Sequence, residues 1–298
     1  MQGKSLPRWA GVVLLLAVAV TFAANHIAAR IAFDHGASVV TAVAARSSVT
    51  ALALLALLAV LRAPLRLPMP TLGRGCAIGT ILAVQSYCLY SSVARIPVAL
   101  ALLAFNTYPM LFALLSWAVG GERPAPRALS AMPVALIGLA LALDVAGGSR
   151  PLASRWAEIG TGVGYSFIAS VCFVMVLHLS GRWLKDAEGR LRSILINGTV
   201  AVLAWVGGAL TTSLAAPVDG AGWLGLALLT LFYGSAITGL FVLQPHLRAA
   251  SDVTTLNFEP VALLFLGWAI LDQRLSPLQI TGALIVIGAI VALGTAKR

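Results

Sequence analysis

An all-α integral membrane protein, ten transmembrane helices in two inverted five-helix repeats, is the fold class this sequence predicts. Three observations predict it. The 298 residues are 60% hydrophobic and only 10% charged, against about 45–50% and roughly 25% in a soluble domain. Ten apolar runs, each near the ~20 residues that cross a hydrocarbon core, are separated by short polar or proline-containing gaps. The second half of the chain also repeats landmarks of the first. A mean hydropathy of +0.96 leaves too little polar surface for water, and a bilayer supplies the apolar solvent.

The runs lie near 10–30, 39–61, 75–93, 98–119, 128–145, 157–178, 194–213, 223–243, 252–271 and 277–295. None alternates like an outer-membrane strand, and a backbone in lipid must satisfy its own hydrogen bonds, so they read as helices. The first is a span rather than a leader: Lys4 and Arg8 precede it, but it continues past Asn25 and His26 without a small-residue cleavage site.

The formal charge is +10. The basic residues lie in the gaps, with no zinc-finger spacing or aromatic RNA-binding signature, so they read as topology signals and nucleic acid is not an expected partner. Counted on alternate sides, fourteen fall on the side of the termini and five (Arg30, Arg95, Arg150, Arg155, Arg274) on the other. Arg46 lies within a span. This places both termini in the cytoplasm. Seventeen of the twenty basic residues are arginine, a coding bias that suggests a bacterium and hence its inner membrane. Cys76, Cys88 and Cys172 sit singly in apolar runs, which excludes a full disulfide framework and favours buried, inert thiols.

Shifted by 151 residues, Asn106 meets Asn257, Pro109 meets Pro260, Trp117 meets Trp268, Arg123 meets Arg274 and Pro126 meets Pro277. The chain divides into residues 1–150 and 151–298, five spans each. Five is odd, so the second half enters from the opposite side. Inverted repeats of this kind point to a transporter with substrate near the midplane; the alternative is a duplication with only a structural role.

The stretches Asn106-Thr-Tyr-Pro-Met-Leu-Phe-Ala-Leu-Leu-Ser-Trp-Ala-Val-Gly-Gly-Glu-Arg and Glu259-Pro-Val-Ala-Leu-Leu-Phe-Leu-Gly-Trp-Ala-Ile-Leu-Asp-Gln-Arg-Leu-Ser-Pro resemble the two EamA repeats of the drug/metabolite transporter superfamily. Within it the chain looks like the YddG-type aromatic amino acid exporters. The resemblance implies ten helices, cytoplasmic termini and a central cavity; the superfamily also carries sugars, nucleotide sugars and cationic drugs. The sequence departs from the pattern at Gln273, where many repeats have Glu; the acidic position survives only as Glu122.

Polar groups at membrane depth usually face the bundle interior or a cavity. Glu259 is the sharpest case, either a charge or proton site or a carboxylate paired near the surface. Pro109 and Pro260 each remove a helix hydrogen bond and free a carbonyl four residues back, those of Phe105 and Leu256. Asn106 and Asn257 stand beside them. The pattern reads as a hinge or substrate contact; the plainer alternative is an asparagine capping the broken turn. Gln85, Tyr87 and Tyr90 share one span, with the tyrosines three apart on one face, placed to stack on a flat solute. Tyr108, Tyr165 and Tyr233 are expected to converge with them, Tyr233 with more weight; belt anchoring is the alternative. Asn25, His26 and Arg30 read as an outer rim, with His26 a second choice for pH sensing. Arg46 neutralises Glu259, meets a substrate carboxylate or snorkels outward. Gly160-Thr-Gly-Val-Gly164 reads as close helix packing.

The functional expectation is a secondary transporter exporting small organic solutes, aromatic or other apolar amino acids first, by alternating access. The alternatives are another metabolite or a cationic drug or, in a different class, an intramembrane enzyme acting on lipid-like substrates. No nucleotide-binding loop, metal site or nucleophile elbow is present in the sequence, so no enzymatic activity, metal or cofactor is expected. The expected partners are a small-molecule substrate and the bilayer; the oligomeric state stays open, with a monomer acceptable.

Overall fold

The computed structural model describes residues 8–60, 68–120, 126–142, 152–185, 187–243, 258–274 and 276–295. They form α1 (Arg8–Asp34), α2 (Val39–Val60), α3 (Met69–Val93), α4 (Val98–Phe105), α5 (Tyr108–Ala118), α6 (Pro126–Ala142), α7 (Leu152–Trp183), α8 (Gly189–Leu210), α9 (Gly220–Leu243), α10 (Glu259–Leu271) and α11 (Pro277–Thr295). There is no strand among the described residues. Seven segments are long and apolar enough to cross a bilayer, with α4 and α5 together making one of them, Val98–Ala118. The shorter apolar stretches Leu129–Ala142, Glu259–Leu271 and Pro277–Ala289 occupy three of the expected spans. Part of the expected span 252–271 lies outside the described residues. Elsewhere the helices overshoot the apolar runs: α3 begins at Met69 and α7 continues to Trp183, because intrahelical hydrogen bonding does not stop where hydropathy falls.

Proline places several helix starts. Pro126 and Pro277 open α6 and α11, and Pro97 precedes α4. At these positions the missing N–H has no partner to lose and the fixed φ suits the first turn. Gly36, at φ +92°, ends α1 in a left-handed turn in which the Ala37 N–H reaches back to the Ala32 carbonyl at 2.9 Å, the geometry glycine adopts most readily.

Packing is pairwise. α1 lies on α9 and α10, α3 on α7 and α8, α2 on α8 and α9, α6 on α11, and α4 on α7 and α10. The main core surrounds α4, whose eight residues are all buried. Large apolar side chains such as Leu52, Val60, Leu210 and Phe265 point outward, as acyl chains rather than water would require. Some crossings are close enough to need glycine. A Cβ on Gly225 of α9 would stand 2.8 Å from the Ala32 backbone nitrogen and 3.0 Å from the Ala28 carbonyl of α1, and a Cβ on Gly282 of α11 would strike the backbone of α6 at Gly138 and Ala142. In the Gly160–Gly164 run the packing glycine is the middle one: a Cβ on Gly162 would meet Ile96 at 2.6 Å, whereas Gly164 has open space.

One end of the bundle is stitched across loops. The Ser38 N–H donates to the Ala215 carbonyl at 3.0 Å, and the Val218 N–H to the His35 carbonyl at 3.0 Å. His35 Nδ1 stands 2.7 Å from Asp219 Oδ2. Arg30 donates to the Val93 and Ile96 carbonyls at 3.1 and 3.3 Å and pairs with Asp34. The Val98 N–H donates to Gln273 Oε1 at 3.2 Å. Arg30 is thus a rim residue as expected, while Asn25 and His26 are not: they are 1% and 6% exposed inside the bundle.

Gly225→Val should lower stability by about 1–3 kcal/mol or more through overpacking, whereas Gly164→Ala should raise it by about 0.5–1 kcal/mol; thermal unfolding of the purified protein reads both. Asp219 is held below the usual carboxylate range, first by the Gly222 N–H and then by the His35 hydrogen bond. Its contribution is therefore complete above the unfolded carboxylate range and lost as pH falls through the lowered value. Asp219→Asn should flatten that acid limb in the same measurement.

Candidate functional site

A cavity of about 280 Å³ lies between α1, α2, α3, α9 and α10, with α4, α5 and α7 completing its wall. At ~1.5 Å per residue, Arg46 is about 10 Å from the start of α2 and Tyr233 about 20 Å from the start of α9. These depths bracket the middle of a ~30 Å hydrocarbon layer. The volume sits near the ~300 Å³ lower end for small-ligand pockets, room for one small solute.

The polar wall is built around Arg46, which is 5% exposed. Its Nη2 donates to Ser86 Oγ at 2.6 Å and its Nη1 to the Tyr90 hydroxyl at 3.4 Å. The guanidinium carbon lies 4.6 Å from the Tyr90 ring centroid and 4.0 Å from that of Tyr233. The Tyr90 hydroxyl donates to Asn25 Oδ1 at 2.9 Å, and Asn25 Nδ2 donates to the Leu229 carbonyl at 3.2 Å. The Tyr233 hydroxyl donates to Asn197 Oδ1 at 3.4 Å, and Gln85, beside Ser86, is also buried. Each ring contact is worth about 0.5–2 kcal/mol, less together than the several kcal/mol that desolvating a cation costs. Among the described residues, Arg46 Nε has no hydrogen-bond partner.

A second polar pair stands nearby. His26 Nε2 is 3.5 Å from Glu259 Oε1, and the His26 ring meets Tyr90 edge-on at 5.9 Å. Glu259 opens α10, where the helix dipole favours a carboxylate. Glu259 therefore faces His26, and among the described residues Arg46 has no carboxylate partner. Another part of the wall is aromatic: Phe105, Tyr108 and Phe173 pack with centroids 4.9–5.5 Å apart.

The proline break is real and is already tied down. α4 ends at Phe105 and α5 starts at Tyr108, with Pro109 in its first turn. The Phe105 carbonyl freed by Pro109 accepts a hydrogen bond of 2.5 Å from Ser170 Oγ of α7. The Asn106 side chain donates to the Leu102 carbonyl at 2.8 Å, so it caps the broken turn, the plainer of the two readings, while still lining the cavity. Ser166 Oγ donates to the Ala101 carbonyl at 2.9 Å and meets Ser92 Oγ at 2.7 Å. Pro260 likewise sits in the first turn of α10; Asn257 and Leu256 lie outside the described residues.

The structure thus gathers Gln85, Tyr90, Asn106, Tyr108, Tyr233, Glu259, His26 and Arg46 in one wall system. It separates Tyr87, which is 42% exposed against 1% for Tyr90. Three residues turn a helix by about 300°, leaving ~60° between them, enough here to put one inside and the other outside. Tyr87 meets Tyr165, which carries Arg95 over its ring at 5.0 Å. The tyrosines form two groups rather than one. Tyr87 lines a lateral groove of about 570 Å³ between α2, α3 and α8; it is larger than the central cavity but apolar, without an ionisable group suited to orienting a polar solute. Sequence reasoning missed Ser86, Phe173, Ser170 and the ring of Phe105. The signal for Ser170 was present as Ser166 and Ser170 one turn apart in an apolar run, the pattern of small polar residues at a helix interface. Cys88 is buried and Cys76 and Cys172 are half-buried, all free.

The EamA-like transporter family model matches residues 9–144. A relative described as the uncharacterized transporter sll1319, from Synechocystis sp., is 24% identical over 253 residues, 80% of this chain and 70% of its own length. A crystal structure shares the fold with a TM-score of 0.66 at 18% identity, covering 97% of this chain and 98% of that one. With the apolar helices already described, the chain is a multi-pass membrane protein whose residues 9–144 are similar to the EamA-like transporter family.

Proposed function

We propose that the chain is a secondary transporter that exports small organic solutes, aromatic or other apolar amino acids first, by alternating access through the central cavity. The observation that carries this is a mid-depth cavity whose wall joins buried ionisable groups to an aromatic cluster, a combination a membrane interior tolerates only where a polar ligand or water is handled.

The packing pattern supports two related five-span halves. Exchange of each span for its counterpart five positions on carries the α1–α9 contact onto α7–α3, α1–α10 onto α7–α4, and α3–α8 onto α9–α2, while α2–α8, α4–α10 and α6–α11 map onto themselves. Pro109 and Pro260 take equivalent places at the starts of α5 and α10, as do Pro126 and Pro277 at the starts of α6 and α11. On this reading residues 1–150 and 151–298 are inverted repeats.

The arginine distribution supports an orientation with the stitched loops outside a bacterial inner membrane and both termini in the cytoplasm. The stitched end is also the better filled: every residue of α4 is buried, whereas α5, beyond the break, buries only Met110. The conformer is then closed outside and looser toward the cytoplasm, the state in which an exporter loads. Motion at the Pro109 and Pro260 breaks reverses that bias. A proton moving with the solute is held at the His26–Glu259 contact; Tyr90, Tyr108, Tyr233 and Arg46 are the other titratable groups lining the cavity.

Liposomes containing only this protein should show saturable amino acid flux, competed by related compounds. Absence of flux across amino acids, sugars and cationic drugs would overturn the proposal. Glu259→Gln should flatten the pH dependence of flux, and an unchanged pH series would remove Glu259 as the proton site. Phe173→Ala should reduce transport of aromatic solutes more than aliphatic ones, by roughly fivefold for ~1 kcal/mol of ring contact, whereas Tyr87→Ala should leave both nearly unchanged.

A further inference from the structure

We infer that Arg46 receives the carboxylate of the transported solute, so that the site selects small apolar carboxylates, amino acids among them. The inference rests on the transport reading and specifies its substrate chemistry.

Arg46 is a buried cation with no described counter-charge. Five carboxylates are engaged elsewhere: Asp34 with Arg30, Asp219 with His35, Glu188 with Arg190, Asp272 with Arg274, and Glu259 with His26. The Ser86 and Tyr90 hydroxyls are neutral partners, and among the described residues Nε has none. A guanidinium offers five N–H donors in a fork that fits a carboxylate, and a charge-assisted pair is favoured most where water is scarce.

Orientation follows from what is already occupied. The guanidinium lies over one face each of Tyr90 and Tyr233, so those faces do not stack on the solute while Arg46 keeps its place. The open aromatic surface is the Phe105–Tyr108–Phe173 cluster. A solute with a carboxylate at one end and an apolar body at the other fills both walls.

The test uses the purified full-length chain and a matched panel: phenylalanine, leucine and 3-phenylpropionate against phenylalaninamide, leucinamide and phenethylamine, with chloride as the inorganic anion. Thermal-shift titration should show the carboxylates binding about tenfold or more tighter than their partners without one, and chloride far more weakly. Arg46→Gln should abolish the preference, and Arg46→Lys should keep part of it, since lysine retains the charge without the fork. Equal binding of acids and amides, no binding by any carboxylate, or a preference that survives Arg46→Gln would each overturn the assignment. Should Arg46→Gln fail to fold, the wild-type comparison and Arg46→Lys decide. Flux separates the two levels of the argument: saturable transport of neutral or cationic solutes, unaffected by Arg46→Lys, removes the anchor and keeps the transporter, whereas no flux of any class removes both.

Discussion

A cation at membrane depth has to be hosted by its own protein, and the centre of this bundle is organised around that requirement. Arg46 gathers Ser86 and Tyr90 from α3 and Tyr233 from α9. Tyr90 in turn fixes Asn25 of α1, which reaches the Leu229 carbonyl of α9. Four helices are thus registered against one another by one side chain and its neighbours. In a solvent without hydrogen-bond partners each of these groups would be costly alone, and as a network they fix where α1, α2, α3 and α9 meet.

The membrane class and the positions of most spans were legible because hydropathy acts over twenty residues and averages out local detail. The proline breaks were legible for a different reason: Pro109 cannot supply the N–H its helix needs, whatever surrounds it. What received the freed carbonyl was not legible, because Ser170 lies on another helix and only packing brings it to Phe105. The same limit explains Tyr87 and Tyr90. Spacing placed them close on a helical wheel but could not say where the boundary between interior and lipid fell, and it falls between them. Asn25 and His26 were read as rim residues because they follow a long apolar run. The run continues through Ala28, Ala29 and Ala32, small residues that pack tightly against α9 and carry the true end of the helix to Asp34.

The two ends of the bundle differ in kind. At one, loops from different parts of the chain exchange backbone hydrogen bonds and ion pairs, and α4 is encased. Beyond the break, α5 buries only Met110. Backbone hydrogen bonds between loops are local and replaceable by water, while encased apolar surface is not, so the stitched end is held by both a latch and a plug.

The Ser170 clasp on Phe105 has a consequence for how such a chain can diversify. Proline decides that an elbow exists and where it lies; the serine decides how firmly the two arms are tied to α7. These are separate positions on separate helices, and neither lines the cavity, although their neighbours Phe105 and Tyr108 do. Stiffness of the elbow is therefore adjustable at Ser170, a position that does not itself form the chamber's wall.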